Sequence, residues 1–592
     1  MTTDHHDAVQ ELPDLAENLA KVEELSQRIM SAVAKKPPVN PALEGPGQDL
    51  ISKTTSAYLA ELMENPTRIF ENQLKYWTKS VQHFADAQEA MQQGGYAVPA
   101  DSSPTDKRFS NPLWETNPYF NFVKQQYQIN AEAVQDTVAG LGSIEGKDRQ
   151  RLEFFAKQIV DLLSPTNFLG TNPDALEKAV ETQGQSLIDG LQNLVRDLEN
   201  GDGDLLVSLA DQDAFEVGKN IATCEGSVVF RNRMFELIQF KPTTETVHKT
   251  PLILFPPWIN KYYVLDLKPQ NSLIRWIVDQ GYTLFVVSWV NPDESYADVG
   301  MDNYIEEGYL TAIDTVKAIT NEPQVNAVGY CIAGTTLSVV LGLLAKRGDK
   351  SVKSATFFTT MTDFSDQGEF GVFLENDFVD GIEAQIERDG LLKSYFMSRT
   401  FSYLRSNDLV YGPAIRSYMM GEAPPAFDLL FWNGDSTNLP GRMAREYLRG
   451  LCQGNALANE GFEVFGETMR LSDVKIPVCS IACETDHIAA WKSCFSGFAQ
   501  FGSKSKKFIL SESGHIAGIV NPPSKKKYGH FLNEASVKDA DEWKSGASFH
   551  NGSWWGEWES WLSKRSGKQV ESRKTGGENH PELCAAPGTY VL

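Results

Sequence analysis

An uncharged run over 327–345 is the sequence feature that most constrains the fold of this chain. Its first part, Ala327-Val-Gly-Tyr-Cys-Ile-Ala-Gly334, predicts a buried strand that ends in a tight turn of small residues, and the part after it suits a buried helix. A membrane span is the competing interpretation, because the length falls within the usual range of about 17–25 residues. We reject it, since glycines and hydroxyl residues interrupt the run and a core strand with its helix is equally uncharged.

Cys331 stands at this turn, where a strand–turn–helix elbow exposes a nucleophile. The elbow needs small neighbours, because the backbone of the nucleophile is strained and the strand and helix approach each other closely. A thiol there lies at a helix N-terminus, where the dipole favours the thiolate, and the amide of Ile332 would form part of an oxyanion hole. On this short motif alone, a buried cysteine that only packs in the core is an equal alternative.

A thiol nucleophile needs a base and a group that orients the base, and two later loops supply both. Asp486 follows the predicted strand 478–482, and His515 follows the predicted strand 507–510. The order nucleophile, acid, histidine is that of the α/β-hydrolase fold, whose active site lies at the carboxyl ends of core strands. Cys331, Asp486 and His515 are therefore the predicted catalytic residues.

Other residues near these loops leave alternatives open. Glu484 is the alternative acid, and a cap on a helix beginning at Ala489 is an alternative role for Asp486. His487 is disfavoured as the base because it is adjacent to Asp486, and it is kept as a structural or substrate-binding candidate. The backbone near Trp258, after the first core strand, is the candidate second oxyanion amide, with a proline-stiffened turn as the alternative.

Strand-like and helical runs alternate after about residue 220, which predicts a mostly parallel sheet covered by helices. A largely helical insert at about 363–470 would lie over the strand ends as a cap. The fold class is thus α/β: an α/β-hydrolase fold with a helical cap insertion, preceded by a mainly helical N-terminal domain. The predicted divisions are a mobile arm over 1–50 that contains a helix, a helical domain over 51–220 and a catalytic domain over 221–592.

Several aromatic segments lie outside the predicted triad. In the insert, Trp432 and Asn433 are candidate substrate-binding residues, as is Tyr330 in the elbow, with packing of the cap as the alternative for the first two. The segment 108–120 is dense in aromatic residues and prolines and is expected to be ordered by packing. A tryptophan cluster either contacts an apolar surface or packs a helix on the sheet, and it comprises Trp554, Trp555, Trp558 and Trp561.

Composition excludes some classes of function. A net charge of −24 argues against nucleic acid as the main partner, because phosphate binding needs a basic surface. The seven cysteines are odd in number and scattered, and the polar, acidic N-terminus does not resemble a signal peptide, so a reducing cytoplasm is the expected compartment. The pair Cys479 and Cys483 lies in a strand-like run with no second pair, so no metal site is predicted.

Sequence motifs spread along the chain, including those around Cys331, Asp486 and His515, together resemble the motifs of the class I polyhydroxyalkanoate synthases. The resemblance extends over most of the chain, and several motifs in one order are more specific than any one of them. It rests on residues 108–114, 117–120, 164–169, 256–263, 265–267, 287–292, 329–335, 428–433, 435–440, 486–488, 513–518, 521–523, 552–555 and 586–591.

The resemblance implies an enzyme that joins (R)-3-hydroxyacyl units from coenzyme A thioesters into a polyester and releases coenzyme A. It implies that Cys331 is acylated, that His515 is its base, and that Asp486 acts with His515 to activate the attacking 3-hydroxyl. It further implies a homodimer with contacts in the cap, action at polyester granules in the cytoplasm, granule-associated proteins as candidate partners, short acyl units of about three to five carbons and no cofactor. Neither nucleic acid nor a transmembrane segment is expected.

One position departs from the family pattern. The family's box usually has glycine where Ala333 stands, and the added methyl group would disturb the elbow if that position required a positive φ. If the position is helical, alanine fits and favours the helix. A thioesterase or polyester depolymerase of the same fold is the enzymatic alternative, and a granule-coat protein with a remnant elbow is the non-enzymatic one.

Overall fold

A computed structural model describes residues 7–36, 43, 45–92, 106–201 and 203–592 of the chain. Contacts divide the chain into two compact units, Met1–Asp211 with Ser402–Pro425, and Gln212–Phe401 with Ala426–Leu592. The predicted boundary at residue 220 lies close to the first division. Part of the predicted cap groups with the first unit, which sequence patterns did not indicate. Among the described residues we find no helix with the length and apolarity that a transmembrane segment needs.

The first unit consists mainly of helices, and two of them begin at Asn-Pro pairs. The side chain of Asn117 accepts a hydrogen bond from the amide of Tyr119, and that of Asn172 accepts one from the amide of Ala175. Each asparagine satisfies a first-turn donor, and the following proline has the φ that a helix requires. In the part of this unit up to Asp211, the described α-helices are α1 (Asp7–Val33), α2 (Gly47–Glu64), α3 (Pro66–Gln92), α4 (Leu113–Thr116), α5 (Pro118–Gly140), α6 (Gly146–Leu162), α7 (Pro173–Glu181) and α8 (Gln185–Asn200).

The helix expected inside the N-terminal arm is present as α1, and it is packed. Leu25 is fully buried against Ile188 and Val195 of α8, so this part of the predicted arm belongs to the helical unit. Residues 1–6 and 37–42 of the predicted arm lie outside the described residues. The aromatic segment 108–120 is ordered by packing as expected, because Phe109, Trp114 and Phe120 form one buried cluster with Tyr127.

Helix α3 carries its large apolar side chains on an exposed face. These side chains are more than half exposed, and they are Phe70, Leu74, Trp77, Val81 and Phe84. The opposite face of α3 contacts α5 through polar and aromatic groups: Lys79 pairs with Glu132, and His83 stacks on Phe122 at 4.6 Å between ring centroids.

An eleven-stranded sheet forms the centre of the second unit, in the order β15-β14-β13-β12-β7-β6-β4-β5-β2-β1-β17. The six strands from β13 to β5 in this order run parallel, as the alternation of strands and helices predicted. The outer strands are antiparallel and were not predicted. The strands of the sheet are β1 (Gly226–Arg231), β2 (Phe235–Phe240), β4 (Leu252–Phe255), β5 (Leu284–Trp289), β6 (Val325–Tyr330), β7 (Val352–Phe358), β12 (Val478–Cys483), β13 (Lys506–Ser511), β14 (His530–Leu532), β15 (Ser548–His550) and β17 (Cys584–Ala585).

Six shorter strands pair outside this sheet. They are β3 (Thr246–His248) with β16 (Gln569–Glu571), β8 (Leu391–Leu392) with β9 (Leu439–Pro440), and β10 (Phe462–Val464) with β11 (Glu467–Met469). The remaining helices are α9 (Leu273–Asp279), α10 (Met301–Asn303), α11 (Thr311–Thr320), α12 (Ile332–Lys346), α13 (Asn376–Asp389), α14 (Ser394–Leu404), α15 (Gly412–Ala414), α16 (Asp428–Gly434), α17 (Gly441–Arg445), α18 (Trp491–Gln500), α19 (Ala540–Ser545) and α20 (Trp555–Ser563). π-Helical segments occupy Tyr304–Leu310, Asn407–Tyr411, Ile415–Met419 and Glu446–Gln453.

The uncharged run 327–345 is therefore not a membrane span. It forms most of β6 and of α12, and the side chains of both are almost all buried. The structure also decides between the two interpretations of the tryptophan cluster, because Trp554, Trp555 and Trp558 are at most 1% exposed. These rings pack against the sheet and against each other, which excludes them as an exposed surface for apolar ligands.

Candidate active site

Cys331 lies between β6 and α12 in a strained backbone conformation, with φ 54° and ψ −127°. A residue with a Cβ rarely adopts such angles, and strain of this kind concentrates at functional sites. Two hydrogen bonds fix the turn: the amide of Cys331 donates to the carbonyl of Phe358, and the amide of Gly334 donates to the carbonyl of Cys331, each at 2.8 Å. The predicted elbow is thus present at the predicted residue.

The glycines of the elbow allow the strand and the helix to approach each other. A Cβ added to Gly329 would lie 2.6 Å from the Cα of Gly334, which is closer than real Cβ atoms come. A Cβ added to Gly334 would lie 2.1 Å from the Oγ1 of Thr360. The Thr360 hydroxyl also donates to the carbonyl of Cys331 at 3.2 Å, so it helps to hold the turn.

Ala333 lies inside α12 and is not among the residues with positive φ. Of the two conformations considered from sequence, the helical one is therefore correct, and a methyl group is compatible with it. The carbonyl of Ala333 accepts a hydrogen bond from the buried hydroxyl of Tyr309 at 2.8 Å, which anchors the first turn of α12.

Asp486 and His515 lie after β12 and β13, and they contact each other. The Nδ1 of His515 is 2.7 Å from the Oδ2 of Asp486, and both side chains are at least nine-tenths buried. The other oxygen of Asp486 accepts from the amides of Ile488 and Ala489 at 2.8 and 2.9 Å. The capping alternative was wrong, because no helix begins at Ala489: α18 begins at Trp491, and its N-cap residue Ala490 has no side-chain cap. Asp486 instead fixes the loop before α18 while it orients His515.

The alternative acid is engaged elsewhere. Glu484 forms an ion pair with Lys544 at 2.7 Å. His487 is half-buried beside Asp486. Neither residue replaces Asp486 as the partner of the His515 ring.

His515 lies between two groups that favour its protonated form. Burial alone would lower the pKa of His515, but the Asp486 carboxylate and the Cys331 sulfur, which is within hydrogen-bonding reach of the ring, outweigh burial and raise that pKa well above its ordinary value. The imidazolium form of His515 is the state that this arrangement stabilises.

Tyr330 was a candidate for substrate binding, and the structure gives it a different contact. Its side chain is 1% exposed, and its hydroxyl donates to the backbone carbonyl of His515 at 3.3 Å. Its ring stacks beside the imidazole of His515 at 5.8 Å between centroids. Because Tyr330 directly precedes Cys331, it joins the nucleophile's strand to the loop that carries His515. Its location supports positioning of His515 rather than contact with substrate.

The tryptophan cluster donates hydrogen bonds to the backbone of the loop that carries His515, called the histidine loop. The indole nitrogen of Trp554 donates to the carbonyl of Gly518 at 2.7 Å, and that of Trp555 donates to the carbonyl of Ile519 at 2.9 Å. No sequence signal linked these rings to the active site, because the partners are backbone atoms distant in the chain.

The predicted oxyanion donors lie at the expected loops. Ile332 is the first residue of α12, so its amide is among the donors that a helix leaves without an intrahelical partner. Trp258 follows β4 and is fully buried, with its indole nitrogen 3.2 Å from the Oγ1 of Thr336. The ring of Tyr447 meets that of Trp258 edge-on at 5.4 Å. Tyr447 is also close enough to Cys331 for the two to interact electrostatically, and it was missed by sequence reasoning.

The two cap candidates pack near the loop after β4. The indole nitrogen of Trp432 donates to the carbonyl of Lys261 at 2.7 Å, so it is not free to bind a substrate. The backbone carbonyl of Asn433 accepts from the Ser436 hydroxyl at 3.3 Å. Lys261 in turn pairs with Asp435 at 2.6 Å. A substrate contact of Asn433 or His487 stays a prediction.

Comparison with known proteins gives concordant matches. Residues 105–277 match the family described as poly-beta-hydroxybutyrate polymerase (PhaC) N-terminus, and residues 250–522 match the alpha/beta hydrolase fold. A poly(3-hydroxyalkanoate) polymerase from Methylorubrum extorquens is 39% identical, over 99% of this chain and 98% of that protein. The poly(3-hydroxyalkanoate) polymerase subunit PhaC of Cupriavidus necator is 39% identical, over 90% of each chain. A solved monoacylglycerol lipase from Paleococcus ferrophilus aligns with 48% of this chain and 90% of its own at 10% identity and a TM-score of 0.30.

Proposed function

The chain belongs to the family of poly(3-hydroxyalkanoate) polymerases, and we propose that it polymerises (R)-3-hydroxyacyl-coenzyme A through an acyl intermediate on Cys331. The observation that carries the proposal is the strained Cys331 beside His515, whose imidazole Asp486 orients at 2.7 Å. Nucleophile, base and orienting acid are the three parts that covalent acyl transfer needs.

The first step transfers the acyl group to the enzyme. The Cys331 thiolate attacks the thioester carbonyl, and the amides near Ile332 and Trp258 stabilise the oxyanion. The bond between the carbonyl carbon and the coenzyme A sulfur then breaks, and the proton of the His515 imidazolium goes to the departing thiolate. A sulfur nucleophile exchanging with a thioester leaves the acyl group activated, so no further cofactor is required.

The second step extends the chain. The 3-hydroxyl of another hydroxyacyl-coenzyme A loses its proton to His515, assisted by Asp486, and attacks the acyl-Cys331 carbonyl. A new ester bond forms and the carbon–sulfur bond to Cys331 breaks, which regenerates the thiol. Transfer of the extended chain back to Cys331 releases coenzyme A. Burial of His515 and Asp486 supports this route, because excluding water favours the hydroxyl over hydrolysis.

The finer assignments belong to the same proposal. The substrates are short, with 3-hydroxybutyryl-coenzyme A as the main one, and the enzyme works in the cytoplasm at the surface of polyester granules. The active form is a homodimer with contacts through the cap, and granule-associated proteins are candidate partners. These assignments rest on the resemblance to class I synthases, whereas the relative from Methylorubrum extorquens, matched over 99% of this chain, supports only the poly(3-hydroxyalkanoate) product.

The test measures coenzyme A release and polymer recovery from 3-hydroxybutyryl-coenzyme A. Wild type is compared with Cys331→Ala and with Cys584→Ala, a control at another partly exposed cysteine. We expect wild type and Cys584→Ala to release coenzyme A and make polymer, and Cys331→Ala to do neither. A labelled acyl group should be retained on denatured wild type and lost from Cys331→Ala.

Two other outcomes would each contradict part of the proposal. Release of coenzyme A with free acid and no polymer would identify a thioesterase. Polymer formation by Cys331→Ala at the wild-type rate would remove the elbow from the mechanism.

A further inference from the structure

Three consecutive lysines, Lys525, Lys526 and Lys527, are exposed on the loop between β13 and β14. The chain as a whole carries 78 acidic against 54 basic residues, so a run of three unshielded cations is a local reversal of its charge. Within the part of the chain that the structure describes, no carboxylate pairs with any of the three. Adjacent like charges repel each other, and a bound anion would relieve that repulsion.

Acidic side chains near this loop have other partners. Glu512 accepts a hydrogen bond from the amide of Gly529 at 2.6 Å, and Glu484 pairs with Lys544. Neither carboxylate forms an ion pair with the three lysines, whose side chains are exposed. The positive charge of this loop acts on Tyr528. The contact of Tyr528 with Lys527 lowers the pKa of its phenol, and its contact with Ser513 and the charge of Lys525 lower that pKa further.

The loop that contains Lys525, Lys526 and Lys527, called the lysine loop, contacts the loop that carries His515, which in turn is hydrogen-bonded to the loop that carries Asp486. The side chain of Tyr528 contacts that of Ser513, two residues before His515. The carbonyl of Ser513 accepts from the amide of Thr485, next to Asp486, at 3.0 Å. The side chain of Asn521 donates to the carbonyl of Tyr528 at 3.1 Å, which closes the loop. The three lysines therefore lie at the surface, on a loop that is connected to the loops of Asp486 and His515.

The substrate class of the proposed function has a matching charge distribution. Its thioester must reach the partly buried Cys331, while the diphosphate and the 3′-phosphate of coenzyme A are separated from the thioester by the pantetheine arm. These phosphates are the strongest anions of the substrate, and lysine binds phosphate as a compact point charge. A cationic loop next to the catalytic loops also raises the local concentration of an anionic substrate around an otherwise acidic protein.

We infer that the loop of Lys525, Lys526 and Lys527 binds the phosphate groups of the coenzyme A carrier and guides the thioester to Cys331. This inference rests on the proposed function and assigns to that site a phosphate subsite. Lys525 and Lys526 are its main cations, because Lys527 also lies 4.8 Å from the ring centroid of Tyr528 and helps to hold the loop.

The test compares Lys525→Gln/Lys526→Gln with wild type on three thioesters of 3-hydroxybutyrate. The carriers are coenzyme A, 3′-dephospho-coenzyme A and pantetheine, which has no phosphate. The matched control is Lys346→Gln/Lys350→Gln, which removes two exposed lysines at the end of α12 opposite to Cys331. All four lysines lie outside the catalytic machinery.

We expect the KM of the variant for the coenzyme A thioester to rise by about tenfold, with kcat unchanged, since each lost charge-assisted contact is worth about tenfold or less. Its KM for the pantetheine thioester should equal that of wild type. The KM of wild type should rise with ionic strength more steeply than that of the variant. An intermediate effect with the dephospho carrier would show that both phosphate groups contribute.

Equal KM changes for the coenzyme A and pantetheine thioesters would overturn the inference, and so would an equal effect of the control variant. An unchanged KM for all three thioesters would also overturn it and would leave the lysines to another anionic partner. Failure of the proposed function is distinct, because wild type would then make no polymer from any carrier.

Discussion

Replacing Gly334 by alanine tests how the nucleophile is held. The new Cβ would lie 2.1 Å from the Oγ1 and 2.8 Å from the Cγ2 of Thr360. Thr360 is β-branched and buried, so it cannot move aside as the end of a long side chain would. Its single hydroxyl hydrogen is shared between the carbonyls of Phe358 and Cys331 at 3.0 and 3.2 Å, and a shift of Thr360 would weaken this shared hydrogen bond.

The size of the effect follows from three contributions. Overpacking of a tight contact costs about 1–3 kcal/mol. Loss of the one shared hydrogen bond adds about 1 kcal/mol, and the better helix propensity of alanine returns about 1 kcal/mol. Gly334→Ala should therefore destabilise the catalytic unit by about 1–3 kcal/mol and displace the carbonyl of Cys331.

Thermal unfolding and the rate of alkylation of Cys331 by iodoacetamide measure these two effects. The control is Gly556→Ala, an exposed glycine in the first turn of α20 with no atom within 4 Å of the added Cβ. We expect a midpoint several degrees lower and slower alkylation for Gly334→Ala, and an unchanged or slightly higher midpoint for Gly556→Ala. The double variant Gly334→Ala/Thr360→Ala should recover most of the loss, because the clashing atoms are removed.

Two results would refute this reasoning. One is a midpoint and an alkylation rate for Gly334→Ala that match those of Gly556→Ala. The other is a double variant whose destabilisation equals the sum of the single ones, which would show that Thr360 and position 334 do not interact.

Three further changes give separate tests. Ala333→Gly should lower stability by about 1 kcal/mol in thermal unfolding and leave polymer formation intact, because position 333 is helical. Asp486→Asn should lower the pKa of His515, because burial remains while the carboxylate that favours the imidazolium is removed. The acidic limb of the profile of kcat/KM against pH should then move to lower pH. The rate should also fall at least about 100-fold. Because the folded pKa of His515 exceeds 6.5, its charged form stabilises wild type fully below that pH and the stabilisation is lost as pH rises through the folded value. Glu236→Gln should cost about 2–4 kcal/mol and expose the C-terminus to carboxypeptidase, because fully buried Glu236 accepts hydrogen bonds from the amides of Thr589 and Tyr590 at 2.8 and 3.0 Å.

The catalytic arrangement could be predicted because it depends on order along the chain. Asp486 and His515 each follow a strand of the parallel sheet directly, and parallel strands bring such loops to one edge. The order along the chain predicts that Asp486 and His515 lie near each other, and the structure adds that their side chains are in direct contact. The helix cap that the sequence offered as an alternative for Asp486 is absent, because α18 begins only at Trp491 and the free carboxylate oxygen accepts from the loop amides of Ile488 and Ala489.

Other features depend on contacts that no local pattern encodes. Helical spacing identified α3, but Leu74, Trp77 and Val81 lie on its exposed face, while polar groups such as Lys79 face α5. Periodicity gives the side on which apolar residues lie, and it does not show which side is packed. Among the antiparallel outer strands that were missed, β14 and β15 have only three residues each, too few for a clear alternating pattern. Length does not explain the misses of β1 and β2, which have six residues each.

The tryptophans of the α20 region connect the two halves of the active site. Trp558 donates to the Oγ1 of Thr356 in β7, the strand whose Phe358 carbonyl receives the amide of Cys331. Trp554, one turn earlier, donates to the carbonyl of Gly518 in the histidine loop. A displacement of this region would therefore shift the support of the nucleophile and of the base together. Because buried indole donors lose their hydrogen bonds when the rings move, the packing of these tryptophans stabilises the position of β7 and of the histidine loop at the same time.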